Sequence, residues 1–245
     1  MRYLVISDIH GNLEALDTAL RVAPFHALLC LGDLVGYGAS PNEVVARIRE
    51  SNPLAQVRGN HDKVVAGLND GYNFVSHALI AANWSRTQLT EENLDYIKSL
   101  PEGPIEADSL MTLAHGSPAD EEQYILGEMD ARSSFLFFNT AICFFGHSHI
   151  AVVIAIQPDG SLFVKFPKAD ELLQIDTSLY SRYLINPGSV GQPRDGNWLG
   201  STAVIDTESM TVKFHRFEYN VAAAQEKIRR AGLPELLAAR LARGR

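Results

Sequence analysis

The feature that most constrains the fold of this chain is a regular alternation of short apolar runs, polar glycine-containing loops and amphipathic segments. Apolar runs over residues 2–6, 27–31 and 54–57 each end abruptly in such a loop. Residues 13–22, between the first two runs, carry leucines at helical spacing. Strand-like and helical segments that alternate in this way are typical of a layered α/β fold.

Further helices are predicted at three places. Ser40, followed by Pro41 and Glu43, predicts a helix whose first turn is capped by the serine side chain, with the glutamate reaching back to it. Residues 75–99 are expected to form two helices. The Ala- and Leu-rich residues 221–243 are also expected to be helical.

The second half of the chain predicts mostly strands. Two runs lead directly into histidine-bearing loops, at residues 111–114 and 141–145. After residue 150, short strand-like runs are joined by turns, at 151–156, 162–166, 184–185, 202–205 and 211–217. This pattern of short strand-like runs joined by turns predicts a second, more antiparallel sheet packed on the first. Because no repeat or linker interrupts the pattern, residues 1–245 are expected to form a single domain.

Composition narrows the classes of function. The formal net charge of −8 leaves no overall basic field, which argues against stable nucleic-acid binding. A small phosphorylated substrate is still compatible, because bound dications invert the local field. No apolar run approaches about 18 residues and the N-terminal run is short for a signal peptide, so we expect a cytoplasmic protein without a membrane partner. Cys30 and Cys143 lie inside apolar runs and are expected to be buried.

Five short motifs stand at the ends of strand-like runs. In an α/β sheet the carboxyl ends of the strands converge on one edge, where such folds place their sites. Residues i and i+2 of a turned loop can point the same way, and flanking glycines allow tight turns. The motifs are Asp8-Ile9-His10, Gly32-Asp33, Gly59-Asn60-His61-Asp62, His115-Gly116 and Gly146-His147-Ser148-His149.

The residue types in these motifs indicate metal binding. Five of the eight histidines stand at strand-to-loop junctions beside Asp or Asn, whereas a lone histidine is usually a surface or structural residue. Mixed imidazole and carboxylate ligands suit Mn, Fe, Zn or Ni better than Mg or Ca. The set is large enough for two ions. His26, His77 and His215 lack this context and are expected to be structural or exposed.

Two arginines lie in or near the loops of this site. Arg58 precedes the third motif, and Arg194 lies in the Gly-Gln-Pro-Arg segment of residues 191–194. Each can bind a phosphate or hold a local carboxylate, and the sequence leaves both roles open.

At these motifs the sequence resembles the calcineurin-like metallophosphoesterase superfamily. All five blocks match, as D-x-H, G-D, G-N-H-D, H-G and G-H-S-H, across residues 8–149. Residues 32–38 and 186–194 extend the match and resemble the small prokaryotic phosphodiesterase branch. The resemblance implies an α/β fold of four layers, in which a β-sandwich of two mixed sheets is flanked by α-helices.

The resemblance also implies two divalent transition metal ions, with manganese favoured for activity. The first ion would be held by Asp8, His10, Asp33 and His149. The second would be held by Asn60, His115 and His147, with Asp33 as the bridge. A hydroxide bridging the two ions would attack phosphorus, and His61 would face the substrate and give a proton to the leaving oxygen.

One departure from the superfamily bears on His61. In the Ser/Thr protein phosphatases the G-D motif continues with an Asp-Arg pair, of which the Asp orients the acid histidine and the Arg grips phosphate. Gly36 and Tyr37 stand at those positions here. His61 therefore needs another orienting partner, and Asp62 is the candidate next to it in sequence.

A small-molecule phosphodiesterase or nucleotide hydrolase is the leading hypothesis, and a dinucleotide of the diadenosine-tetraphosphate type is a candidate substrate. A phosphomonoesterase or protein phosphatase is the alternative. A non-catalytic scaffold is disfavoured because His61 and every ligand are present, and a DNA nuclease because the chain is compact and acidic. Specificity is expected to depend on residues 67–74 and 117–130 and on the surroundings of Arg194.

Overall fold

A computed structural model describes residues 1–245 and contains two six-stranded sheets. The first sheet has the spatial order β3 (Ala55–Gln56), β2 (Ala27–Cys30), β1 (Arg2–Ile6), β11 (Gly200–Asp206), β12 (Thr211–Phe217) and β9 (Leu172–Gln174). The second has the order β4 (Ile105–Glu106), β5 (Met111–Leu113), β6 (Ile142–Phe144), β10 (Arg182–Asn186), β7 (Val152–Ile156) and β8 (Leu162–Lys165). Each sheet contains parallel and antiparallel pairs, so both are mixed, as expected.

The strands after residue 150 are divided between the sheets. β7, β8 and β10 extend the second sheet, whereas β9, β11 and β12 extend the first, where β11 pairs antiparallel with β1. A second sheet packs on the first, as expected, but the expectation that the strands after residue 150 form it by themselves is wrong. Each group of parallel strands has an edge whose backbone groups need partners, and an antiparallel strand from the second half of the chain supplies them. Alternation along a strand does not tell which edge it will pair with.

Eight helices surround the sheets: α1 (Leu13–Ala19), α2 (Pro41–Ser51), α3 (Asn60–Ala66), α4 (Ser76–Gln88), α5 (Glu91–Ser99), α6 (Glu128–Ser134), α7 (Val221–Arg230) and α8 (Glu235–Leu241). The two helices predicted within residues 75–99 are confirmed. No helix combines the length and the apolar character needed to cross a membrane.

Two details of the helices differ from expectation. Ser40 is the residue before α2 and Pro41 is its first residue, but the serine side chain does not cap the helix. Its Oγ instead accepts a hydrogen bond from Lys227 Nζ at 3.2 Å, because α7 packs beside this corner. The C-terminal segment is two helices, since Gly232 adopts a left-handed φ of +69° and Pro234 cannot continue the preceding turn.

The side chains of β1 show how the layers are built. Leu4 and Ile6 point to the helix-covered outer face, in a cluster of 32 buried residues. Tyr3 and Val5 point the other way, into a cluster of 19 residues between the sheets. A smaller cluster under α6 covers the other sheet. The result is a four-layer arrangement of helices, sheet, sheet and helices, in which both cysteines are buried and unpaired as predicted.

Candidate metal centre

The ends of five strands bring the predicted ligands together at one edge of the sandwich. The loops that follow β1, β2, β3, β5 and β6 carry all of them. Every side chain of the set is buried, with at most 8% of its surface exposed. The set comprises Asp8, His10, Asp33, Asn60, His115, His147 and His149.

One group of ligand atoms has the geometry of a metal site. The ligand atoms of Asp8, His10, Asp33 and His149 all lie within 4.8 Å of one another. His149 Nε2 is 3.1 Å from His10 Nε2 and 3.3 Å from Asp8 Oδ1. Ligands bound at about 2.0–2.2 Å to one ion are separated by roughly 3–3.5 Å, which matches these distances. Asp8 Oδ1 is buried and has no hydrogen-bond partner in the protein, as expected for an oxygen that holds a cation.

The second group shares one oxygen with the first. His115 Nε2 lies 3.1 Å from Asn60 Oδ1 and 3.4 Å from Asp33 Oδ2. The same Asp33 Oδ2 is 3.5 Å from His10 Nε2. The other oxygen, Asp33 Oδ1, accepts a hydrogen bond from the main-chain nitrogen of His61 at 2.9 Å. A single carboxylate oxygen therefore faces the ligands of both groups.

Main-chain carbonyls orient the imidazoles. When Nδ1–H of a histidine donates to a carbonyl, the lone pair of Nε2 is free to bind a metal. His147 is turned the other way: its Nε2 lies 3.1 Å from the carbonyl oxygen of Glu122, which leaves Nδ1 as the nitrogen available to a metal. The Nδ1 contacts are His10 with Val35 O at 3.2 Å, His115 with Leu31 O at 2.7 Å and His149 with Gln192 O at 2.5 Å.

Burial also sets the protonation of these groups. It lowers the pKa of His10 and His149 well below the usual value and that of His147 to about 3, so all three are neutral at neutral pH, the form in which an imidazole can bind a metal. Burial raises the pKa of Asp8 to about 6, against the opposing charge of His115. A divalent cation would stabilise the ionised form of such a carboxylate, and these residues therefore fit a metal.

The backbone is strained at the same residues. Nine non-glycine residues of the chain have positive φ, and five of them are candidate ligands. Such conformations cost about 1–3 kcal/mol each and persist where the surroundings enforce them, which is common at functional sites. The five are Asp8 (φ 54°), His10 (φ 51°), Asp33 (φ 55°), His147 (φ 65°) and His149 (φ 60°).

Two glycines are required by close approach. A Cβ at Gly59 would lie 2.1 Å from Asp33 Oδ1, and one at Gly146 would lie 1.9 Å from Ser7 Oγ. No side chain fits either space. These glycines let the third and fifth motifs come into contact with the carboxylates of the first two.

His61 stands on the open side of the ligands, and aromatic rings hold it. Its ring centroid lies 4.8 Å from that of His10, 4.5 Å from that of Tyr37 and 4.6 Å from that of Phe74. Its Nδ1 is buried and unpartnered, and a Cβ at Gly36 would lie 2.3 Å from that atom. Protein phosphatases have an orienting Asp at the position of Gly36. Here the His61 ring occupies the space that a side chain at this position would need, and contacts with Tyr37 and Phe74 hold the ring instead.

Asp62 is buried beside the site but is not hydrogen-bonded to the His61 side chain. Its Oδ1 accepts the main-chain N–H groups of Leu34 and Val35, at 2.9 and 3.2 Å. Its Oδ2 accepts that of Gly59 at 3.0 Å. In this structure the carboxylate joins the loops of the second and third motifs.

The two arginines have different surroundings. Arg58 is paired with Glu121 and Glu102, at 2.9 and 2.7 Å, so it holds carboxylates. Arg194 forms no salt bridge and lines the cavity above the ligands. Its Nη2 donates to Tyr37 Oη and to Gln192 Oε1, both at 3.3 Å, and its buried Nε has no partner. Of the two, only Arg194 is placed to meet a phosphate.

A cavity of about 210 Å³ opens above the ligands. Phe74 belongs to the 67–74 loop, whereas Tyr124 belongs to the 117–130 loop and stacks on His147 with ring centroids 3.8 Å apart. Both loops were expected to affect specificity, but the sequence did not single out these rings. In the sequence, each of them is recognisable only as an aromatic residue in a polar loop near a motif.

A buried carboxylate fixes the second of these loops. Glu121 has 1% of its side chain exposed and binds Arg58 and Lys63, the latter at 2.8 Å. Burial alone would raise the pKa of Glu121, but hydrogen bonds from both cations hold it below its usual value. The loop that carries Tyr124 and the carbonyl of Glu122 is thereby tied to the ends of β3 and α3.

Replacing Glu121 by Gln is expected to lower the free energy of unfolding by about 2 kcal/mol, because two partly buried cations lose their common partner and each keeps one other carboxylate. Urea unfolding measures the difference. A carboxyl with a lowered pKa contributes stability above its unfolded pKa of about 4.3, and this is lost as pH falls through the folded value. The difference in the free energy of unfolding between wild type and variant should therefore become smaller below about pH 4. The matched control is Glu128→Gln, an exposed pair with Arg132. Equal effects of the two changes would contradict the assignment.

The chain is similar to known proteins over most or all of its length. A family model described as the calcineurin-like phosphoesterase superfamily domain matches residues 1–210. A protein of Methanocaldococcus jannaschii is 38% identical over 249 residues, which covers 98% of this chain and 97% of that protein. The crystal structure of a metallophosphoesterase from Sphaerobacter thermophilus is 40% identical, with a TM-score of 0.89 over 100% of this chain and 99% of that one. A protein from Pyrococcus horikoshii OT3 has a TM-score of 0.77 over 100% and 98% of the two chains, and at 19% identity shares the fold.

Proposed function

This chain belongs to the calcineurin-like phosphoesterase superfamily, and we propose that it hydrolyses phosphodiesters or nucleotides at a dinuclear metal centre. The observation that carries the proposal is the position of Asp33 Oδ2, within 3.5 Å of ligand nitrogens from both groups. His61 and Arg194 line the same cavity as the ligands Asp33, Asn60, His147 and His149. The site therefore combines a place for two metal ions with a histidine that can carry a proton and an arginine that has no carboxylate partner.

The proposed ligands are Asp8, His10, Asp33 and His149 for one ion, and Asp33, Asn60, His115 and His147 for the other. When bound, two dications would lower the pKa of a water and offset charge on the phosphoryl oxygens. Side chains of the protein bind the phosphoryl group and supply the proton. Arg194, which has no carboxylate partner, binds the phosphoryl group through its free donors.

His61 is the residue that can carry a proton to the leaving oxygen. Burial lowers the pKa of His61 to about 4, so it is neutral in the substrate-free protein at pH 7. A phosphoryl anion beside the ring favours its protonated form. The packing of Tyr37 and Phe74 against the ring keeps it aimed at the cavity.

A small substrate is favoured over a phosphoprotein. The cavity is narrow and Phe74 and Tyr124 form its walls. The Asp-Arg pair of the protein phosphatases is absent, since Gly36 and Tyr37 take its place. A phosphomonoesterase acting on small molecules remains the second candidate, because the three donors His61, Arg194 and Asn60 would serve a monoester equally well. A diadenosine-tetraphosphate-type dinucleotide remains a candidate diester.

The test is metal content together with hydrolysis. Protein purified without chelator and reconstituted with Mn²⁺ is expected to hold two metal equivalents per chain and to hydrolyse bis(p-nitrophenyl) phosphate. Elemental analysis gives the stoichiometry, and chelator-treated protein is the control for activity. A stoichiometry below one after reconstitution would contradict the dinuclear centre. Two bound metals without hydrolysis of any mono- or diester would indicate the scaffold function instead.

A further inference from the structure

Two arginine side chains, Arg194 and Arg240, pack against the ring of Tyr37. The Cζ atom of Arg194 lies 5.8 Å from the Tyr37 ring centroid, and that of Arg240, on α8, lies 5.6 Å from it. Tyr37 is itself buried at the site, since its ring also contacts His10 and His61. Arg194 lines the cavity above the ligands, whereas Arg240 lines a neighbouring cavity.

Neither of these arginines is paired with an Asp or Glu side chain, in contrast to Arg58, which pairs with Glu121, and Arg216, which pairs with Asp195. Arg240 donates from Nε to the main-chain oxygen of Arg245, and Arg194 Nε is buried without a partner. Two like charges around one neutral phenol are unfavourable unless an anion joins them.

A second cavity next to Arg240 is lined by basic side chains. It has a volume of about 200 Å³, and Arg240, Arg243 and His77 line it. His77 and Ala78 are consecutive residues of α4, and Ala78 lines the metal cavity, so the two cavities flank the start of this helix. Burial and then the charge of Arg240 lower the pKa of His77, and burial and then the charge of Arg194 lower that of Arg240, so these three side chains are close enough to feel one another's charge.

We propose that Arg240, together with Arg194, forms a second anion subsite that binds a phosphoryl group next to the one held at the metal centre. The subsite rests on the proposed phosphoesterase function and narrows it to substrates with adjacent phosphates, such as a nucleoside diphosphate or another phosphoanhydride. Arg194 stands between the two positions and contacts both groups. Arg240 is then a residue that determines specificity.

The probe is inorganic pyrophosphate, with inorganic phosphate as the reference, titrated calorimetrically into metal-loaded protein. Arg240→Gln is expected to weaken pyrophosphate binding roughly 10- to 100-fold, the usual effect of losing charge-assisted hydrogen bonds. Phosphate binding should change by less than about threefold, because one phosphoryl group at the metals does not reach Arg240. Arg240→Lys should restore part of the difference.

Arg230→Gln is the matched control, since it removes one arginine charge from the neighbouring helix at an exposed pair with Glu226. It should leave both affinities unchanged. Equal weakening of pyrophosphate and phosphate by Arg240→Gln, or none, would overturn the subsite. Hydrolysis is measured separately. If the protein hydrolyses phosphoesters but Arg240→Gln does not selectively weaken pyrophosphate binding, only the subsite is refuted. If Arg240→Gln selectively weakens pyrophosphate binding but the protein hydrolyses no phosphoester, only the proposed function is refuted.

Discussion

Replacing Asp33 by Asn is expected to remove or weaken both metals and to lower the rate of hydrolysis by at least roughly 10³-fold, or about 4 kcal/mol of barrier. The reason is the position of Oδ2, which lies 3.5 Å from His10 Nε2 and 3.4 Å from His115 Nε2. A neutral amide binds a dication far less well than a carboxylate and cannot bridge two ions with the same charge. Asn60 approaches only the second group, so Asn60→Ala should mainly affect that site.

The change at Asp33 is suited to test metal binding apart from folding. Asn matches the shape of Asp and tolerates the left-handed φ of 55° at this position. Elemental analysis of the reconstituted variant gives the metal content, and circular dichroism checks the fold. An Asp33→Asn protein that keeps two equivalents and full activity would show that another group bridges the ions.

The position of the ligands could be predicted because it depends on a local rule. Each motif follows a strand-like run, and the ends of neighbouring parallel strands must meet at one edge. β1, β2 and β3 pair in parallel in this way, as do β5 and β6. The glycines at positions 59 and 146 were identified as loop residues, and the structure gives the reason, which is the carboxylate or hydroxyl that occupies the place of a Cβ.

The surroundings of the site could not be predicted, because they depend on long-range pairing. Arg240 reaches Tyr37 only because α8 packs at this corner, more than two hundred residues along the chain. Phe74 reaches His61 by the same kind of contact between separate loops. The division of the later strands between two sheets also follows from edge pairing, which alternation in the sequence does not encode.

His61→Ala is expected to lower the rate on a nucleotide diester by about 10²–10⁴-fold, or roughly 3–5 kcal/mol of barrier, while both metals stay bound. His61 is not part of the group of Asp8, His10, Asp33 and His149, whose ligand atoms lie within 4.8 Å of one another. It lies on the open side, packed against Tyr37 and Phe74. His61→Gln is the companion variant, because it keeps more of the volume that those rings enclose.

The loss should depend on the leaving group, and this dependence distinguishes proton donation from positioning. A nucleoside oxygen leaves as a strongly basic alkoxide unless it is protonated, whereas p-nitrophenolate leaves readily without a proton. His61→Ala should therefore reduce kcat on the nucleotide diester by a much larger factor than on bis(p-nitrophenyl) phosphate. An equal loss on both would assign His61 to positioning or charge. Loss of one metal equivalent from the variant would instead make His61 a ligand.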